Sequence, residues 1–483
     1  MRSSMMAIFA GVLTVFTASV MVAGMWRPQT LVVHEWGVNY YDWAKGVAVA
    51  QKMPDFIYTD KAPGRSVRVP ALRVKDMPPD SGVRTKPVLY FHAEGYSNRA
   101  VPVAVEVRFA YGNANAWWPQ VNVYRTPDQV ADAKAVDWDA WRKQQEKERM
   151  TRRPPKIPDD KRFELSWHHL TLSKSLPKGV TLSGADLPDN HWVKVARQVD
   201  SHYVSNGKEV EKYLFYEGTT TRTPVVTVLA PEGRGKTHHV VNVGDHPIYD
   251  VFAVYRDGKR GQIWTRYLAV MPPVPRIPKK AFTWGHEVPQ IVSLPLLDSD
   301  IMPAGDPVSK KKFATRTTER LVEALTSGQH LAFGCRGMRD PADHQPSTVT
   351  HQLYHDEAVA LEAIWHEDFF EAEGLTIIYR ESPAHLDEAM PLHIYTDMFH
   401  YVKLSRCGLV LNRNVNYRAA KAVADAVRSF GPNAGAKTKA KSLATCRRNR
   451  FLALGLVEFH RRMGYGHTQG EELGAGLLQE LKK

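Results

Sequence analysis

The sequence predicts an all-β N-terminal region, built as one or two antiparallel β-sandwiches, followed by an α+β, mainly helical C-terminal domain. Short alternating runs of apolar and polar residues follow one another from Leu31 to about Met271. That period of two is what a sheet with one buried face requires. Four prolines between Met271 and Pro278 then stiffen the chain and forbid a central strand. Past them the apolar period lengthens to that of helices.

The clearest strand is Val101, Val103, Val105, Val107 and Phe109, interleaved with Pro102, Ala104, Glu106, Arg108 and Ala110. Further strands are read at Pro87–His92, Val121–Tyr124, Phe163–Leu172, Trp192–Val199, Tyr213–Tyr216, Val225–Ala230, Val240–Val243, Ile248–Tyr255 and Ile263–Val270. Asn206-Gly207 and Asp257-Gly258 supply the positive φ that chain reversals need. No helical pattern recurs between the strands, which argues against a parallel α/β sheet. This β region, 27–270, is interrupted by a charged helical insertion at 128–161 that Pro154, Pro155 and Pro158 end. Residues 271–310 read as a Pro-rich linker and 311–463 as the helical domain. Its helices are expected at Thr318–Leu331, His351–Glu373, Asn414–Phe430 and Ser442–Met463, with strands at Leu375–Arg380 and Leu392–Thr396. Ala434–Lys441 reads as a flexible basic connector and 464–483 as a flexible tail.

The 483 residues carry 64 Lys+Arg against 51 Asp+Glu, a formal +13, with 12 Trp, 19 Tyr and 17 Phe. Such a chain can fill cores and is not disordered. Cys335, Cys407 and Cys446 cannot staple a chain this long. They show no spacing of a zinc ribbon, a thioredoxin-like site or a c-type haem. One pair would bridge in an oxidising compartment, and the sequence leaves open which. Arg2, then 22 uncharged residues from Met5 to Trp26, with Val22-Ala23-Gly24 for cleavage, read as a signal peptide over 1–24. An uncleaved N-terminal anchor is the alternative. Either way the protein is expected to be exported (periplasmic, outer-envelope or secreted), touching membrane only through that segment if it is kept. The expected partner is an envelope protein or polymer.

Motifs that promise chemistry are incomplete. Ala230–Thr237 fits a relaxed Walker A pattern, but His238–Val243 behind it alternates like a strand. A P-loop needs a helix N-terminus there, so a basic hairpin loop is the reading. His34-Glu35, His286-Glu287 and His366-Glu367 lack the second His at i+4 that a zincin helix requires. The fullest constellation is His351, His355, Glu362 and His366, spaced by 4, 7 and 4 along one helical stripe. It is read as a solvated face, with a divalent-metal site as the alternative; no other cofactor is expected. Gln352–His400 carries a net −10 and Lys403–Arg462 a net +12. Adjacent blocks of opposite sign are read as neutralising each other, with a polyanion site as the alternative. Aromatics are sparse in the basic block, so no nucleic acid is expected.

In order, Leu31-Val32-Val33-His34-Glu35-Trp36-Gly37, Lys86–Phe91, Trp117-Trp118-Pro119, Glu211–Gly218, Glu357-Ala358, Trp365, Phe369-Phe370, Glu373-Gly374-Leu375, Pro391-Leu392 and Leu454-Gly455 form a further pattern. It resembles a family of exported bacterial proteins of unknown function, seen in planctomycetes and myxobacteria, whose mature part opens with His-Glu-Trp-Gly. The resemblance spans nearly the whole chain and implies no established activity. Against that pattern Ala332–His351 looks like an insertion, which counts against a role for His351. It marks His34, Glu35 and Trp36 as candidate binding residues. For His34 and Glu35 a structural role, tying an edge strand through hydrogen bonds, is favoured over lining a cleft.

The expected function is a non-catalytic binding or assembly module of the cell envelope. One alternative is a metal-dependent envelope hydrolase with Glu362 as ligand or base and His355 and His366 as ligands. The other is a polyanion binder using Lys437–Arg462.

Overall fold

The computed structural model describes residues 30–48, 53–59, 82–93, 100–110, 114–125, 162–220, 224–231, 236–257, 262–276, 290–296, 310–327, 352–396, 401–431, 433–463 and 476–481. The expected signal peptide, the insertion at 128–161, Cys335 and His351 lie outside them. No helix among the described residues is long and apolar enough to cross a membrane.

In chain order the strands begin with β1 (Thr30–Asp42), β2 (Val47–Ala48), β3 (Tyr58–Thr59), β4 (Gly82–Ala93), β5 (Val101–Ala110), β6 (Ala114–Trp118), β7 (Val123–Arg125) and β8 (Arg162–Ser173). Helix α1 (Trp192–Ala196) precedes β9 (Tyr203–Ser205), β10 (Val210–Glu211), β11 (Leu214–Thr220), β12 (Val226–Leu229) and β13 (His238–Asn242). Next come β14 (Ile248–Asp257), β15 (Gln262–Met271), β16 (Leu294–Leu296), α2 (Lys310–Thr326) and α3 (His355–His366). The chain continues with β17 (Gly374–Arg380), α4 (Pro383–Ala389), β18 (Leu392–Tyr395), β19 (Tyr401–Arg413), α5 (Ala420–Ser429), α6 (Ala436–Arg448) and α7 (Arg450–Arg462). The chain is therefore sheet-rich, with strands concentrated in its first part and helices toward its end.

Among the described residues the main sheet has ten strands, β15-β14-β17-β19-β1-β4-β11-β6-β3 with β2 added to β1. Its pairs are antiparallel except β1 with β19, which run parallel from Thr30↔Tyr401 to Asp42↔Arg413. The second sheet runs β10-β9-β8-β5-β18 with β7 on β8, and the third β12-β13-β16. Alternation along each strand divides the core. Leu31, Val33, Leu89 and Phe91 pack with Val103, Val105, Leu165 and Trp167 of the second sheet. On the opposite face Trp36, Val38, Tyr90 and Leu409 meet Ala358, Leu361 and Trp365 of α3. Back on the first face, Tyr41, Ile377, Tyr379 and Val410 are covered by α5, α6 and α7.

The proline-rich segment does not separate two sheets. β14 pairs with β17, and β1 with β19, so strands from both sides of it share one sheet. The segment is itself partly built in: Val274 N–H donates to the Asn242 carbonyl at 2.8 Å, and β16 pairs with β13. Pro295 sits on β16 at that sheet's edge, where a missing N–H is tolerated. Periodicity also passes over β19, because Lys403, Arg406, Asn412 and Arg413 interrupt its apolar pattern. Arg406 and Asn412 are nonetheless buried, each hydrogen-bonded to partners distant in sequence.

Three local expectations are corrected. Trp192–Ala196 is helical rather than extended: the His191 ring caps it, and Trp192, Val193 and Ala196 bury one face. The supposed basic connector forms the first turns of α6, which starts at Ala436. Residues 476–481 are helical rather than a loose tail, and Leu477 and Leu481, one turn apart, are buried beside α5–α7. Elsewhere β14 and β15 pair antiparallel, as expected, and so do β12 and β13, which flank the Walker-like segment.

Candidate metal centre

β1 and β4 are neighbours, and His34 of β1 and His92 of β4 emerge on the same face of the main sheet. His34 lies opposite Tyr90, two residues from His92, which makes the two imidazoles diagonal neighbours. Their ring centroids are 5.4 Å apart. Helix α3 crosses that face and delivers Glu357 from its first turn, where the helix dipole favours a carboxylate. Glu357 Oε2 lies 2.6 Å from His34 Nδ1 and accepts the Tyr354 backbone N–H at 2.8 Å. Glu357 Oε1 lies 2.8 Å from His92 Nε2.

All three side chains are buried. Burial alone would push the Glu357 carboxyl up, but the hydrogen bonds and charge of His34 and His92 hold it below its ordinary range. Tyr354 packs its ring 4.6 Å from both imidazoles and is itself 38% exposed. Among the described residues, His34, His92 and Glu357 form the group whose ligand atoms all lie within 4.8 Å of one another. Two imidazoles and a carboxylate are a donor set that suits zinc and other divalent transition metals.

The chain matches no family model and no curated protein.

The residues singled out from sequence separate. Trp36 fills the core under α3. Glu35 points to the other face, where Tyr216 Oη–H and Arg406 Nε–H donate to its carboxylate. Arg406 Nη1–H also donates to Asp387 of α4 at 2.7 Å. Burial opposes the Arg406 charge, but Glu35 and Asp387 outweigh it and raise its pKa. Glu35 thus clamps β1 to β19, and β1 is an interior strand of the main sheet rather than the edge strand expected.

The helical stripe does not form one site either. His355 is exposed at the start of α3, and Glu362 lies seven residues on, about 10 Å along the axis. Glu362 instead accepts from Thr318 Oγ1 at 3.0 Å and lies 2.5 Å from His366 Nδ1. Sequence reasoning missed His92 and Glu357 as site residues. Glu357 did leave a signal: it stands in line with Leu361 and Trp365 at i+4 and i+8, all buried. A carboxylate on the apolar stripe of a helix needs a buried partner. His92 had no comparable mark, because only strand pairing brings it beside His34.

Proposed function

We propose that this is an exported, metal-binding protein of the cell envelope, acting as a binding or assembly module. Its divalent ion is held by His34 Nδ1, His92 Nε2 and a Glu357 oxygen. One observation carries this reading: two imidazoles and a carboxylate from three separate elements meet in a buried spot, with their ligand atoms within 4.8 Å. At bond lengths of about 2 Å, tetrahedral ligand atoms stand about 3.3 Å apart. The contacts of 2.6 and 2.8 Å open by about half an ångström to admit the ion. Held so, the ion ties the first strand to α3. Export is supported by the N-terminal pattern and the family resemblance. The shared core around Trp167 supports a sandwich of the main and second sheets, and α5–α7 support a largely helical C-terminal part.

Elemental analysis of the purified full-length chain tests this. About one zinc, manganese or iron per chain is expected, with a lower melting temperature after chelation and loss of the ion in His92→Ala. Metal-free protein whose melting temperature ignores added zinc, manganese, cobalt and nickel overturns it.

A second reading, metal-dependent hydrolysis, is favoured by the donor set itself. Three protein ligands of the His₂Glu type leave a coordination position for water. Metal-dependent turnover in a hydrolase panel, lost in Glu357→Gln, separates it from the first.

A further inference from the structure

We propose that α6 is a docking face for a polyanion bearing repeated phosphate groups. In sequence the −10 and +12 blocks adjoin, and mutual neutralisation is the simple expectation. The main sheet prevents most of it. Helix α3, in the acidic block, packs on one face of that sheet, while α5, α6 and α7 pack on the other. Two layer spacings of about 10 Å separate such helices, more than twice the Debye length of about 8 Å at physiological ionic strength.

The acids are also engaged elsewhere. Glu357 meets His34 and His92, Glu362 meets His366, and Asp356 accepts the Asp200 N–H. Arg406–Asp387 and Arg413–Asp368 do join the blocks, and both arginines belong to β19 rather than to the helices. On the far face, α5 and α7 have acids of their own: Arg428 pairs with Asp425, Arg461 with Glu458, and Arg462 with Glu458 and Asp245.

Helix α6 differs: among the described residues, its Lys437, Lys441, Arg447 and Arg448 form no ion pair with an acid. It carries Lys437, Lys439, Lys441, Arg447 and Arg448 and no Asp or Glu. Lys437, Lys441, Arg447 and Arg448 are exposed. Arg447 donates to the Glu480 carbonyl and Arg448 to the Ala444 carbonyl, contacts that leave both charges unneutralised. Lys437, Lys441 and Arg448 follow one another at intervals of four and seven residues, one stripe of the helix. Exposed Ala440 and Ala444 lie beside them, so an extended polymer can approach closely.

The chemistry of the face selects the partner. The exposed large apolar residues among those described are Val292, Tyr354 and Val359, none of them on α6. There is nothing here to insert into lipid and no aromatic on which a base would stack. What remains is a row of cations, which suits a flexible phosphate-bearing polymer held by charge alone.

Binding of full-length protein to inorganic polyphosphate, followed across a salt series, tests the proposal. Affinity is expected to fall steeply with salt. Replacing Lys437→Gln, Lys441→Gln, Arg447→Gln and Arg448→Gln together should weaken binding at least tenfold and flatten the salt slope. The melting temperature should stay put, because glutamine is a good helix former. Removing exposed Lys178 and Lys208 should change affinity less than twofold. Undiminished binding by the fourfold variant overturns the proposal, as does a wild type that ignores polyphosphate at low salt. Binding to phosphatidylglycerol vesicles but not to polyphosphate overturns it in favour of a lipid surface.

Discussion

His34 and Glu35 are adjacent in β1, and their side chains serve opposite faces of the main sheet. His34 Nδ1 lies 2.6 Å from Glu357 of α3, whereas Glu35 bonds Tyr216 and Arg406 on the far side. A His-Glu pair that looks like one motif is therefore half of two sites. One is a candidate metal centre and the other an ion-paired clamp.

Glu35→Ala leaves the fully buried Arg406 without its nearest counter-charge. Breaking a buried pair from one side costs about 3–5 kcal/mol, and urea denaturation should show a loss of that size. Metal content in the still-folded protein should be unchanged, because Glu35 does not face the His34 site.

Glu357→Gln should do the reverse. The amide keeps the volume but is a poorer metal ligand, so bound metal should fall below a tenth of wild type by elemental analysis. Weakening its buried hydrogen bonds should cost about 1–3 kcal/mol in urea denaturation.

Gly455 lies where α7 crosses β12. A Cβ built there would stand 2.5 Å from Thr227 Cβ and 3.3 Å from the Val226 carbonyl oxygen, so the helix must back away. Gly455→Ala should therefore lose about 1–3 kcal/mol of stability through overpacking, measured by thermal and urea unfolding, despite alanine's better helix propensity.

Acid should loosen α7 in two steps. Burial, with Arg428 nearby, holds His460 below the ordinary 6.5. Burial would push the Asp245 carboxyl up, but Arg462 and Arg276 hold it below the ordinary 3.8. Both folded-state values are depressed, so the unfolded chain takes up each proton first as pH falls. The stability each group contributes is complete above its ordinary value and is lost below it. Urea midpoints measured from pH 8 to pH 3 should drop first below about 6.5, a step absent in His460→Gln, and again below about 3.8, a step absent in Asp245→Asn.

Much of the strand inventory was legible: β5 alternates, with Val101, Val103, Val105, Val107 and Phe109 in one core, and β14 is an apolar run buried on both faces. β19 was not, since its buried Arg406 and Asn412 look like surface residues until Glu35 and the Ile377 carbonyl are placed beside them. Cys407 and Cys446 were candidates for a bridge. Both are buried free thiols, with burial pushing the first up to about 12 and the second to about 11.

Local pattern by itself determined strands such as β5 and the buried stripe of α3, on which Glu357 stands in line with Leu361 and Trp365. Only tertiary structure decided that β1 lies parallel to β19, that His92 stands beside His34, and that α3 and α5–α7 pack on opposite faces of the main sheet. The reason is physical. Periodicity reports which side of an element is buried, but the partner is chosen by contacts far apart in sequence. His34 and Glu357 are separated by 323 positions and meet at 2.6 Å.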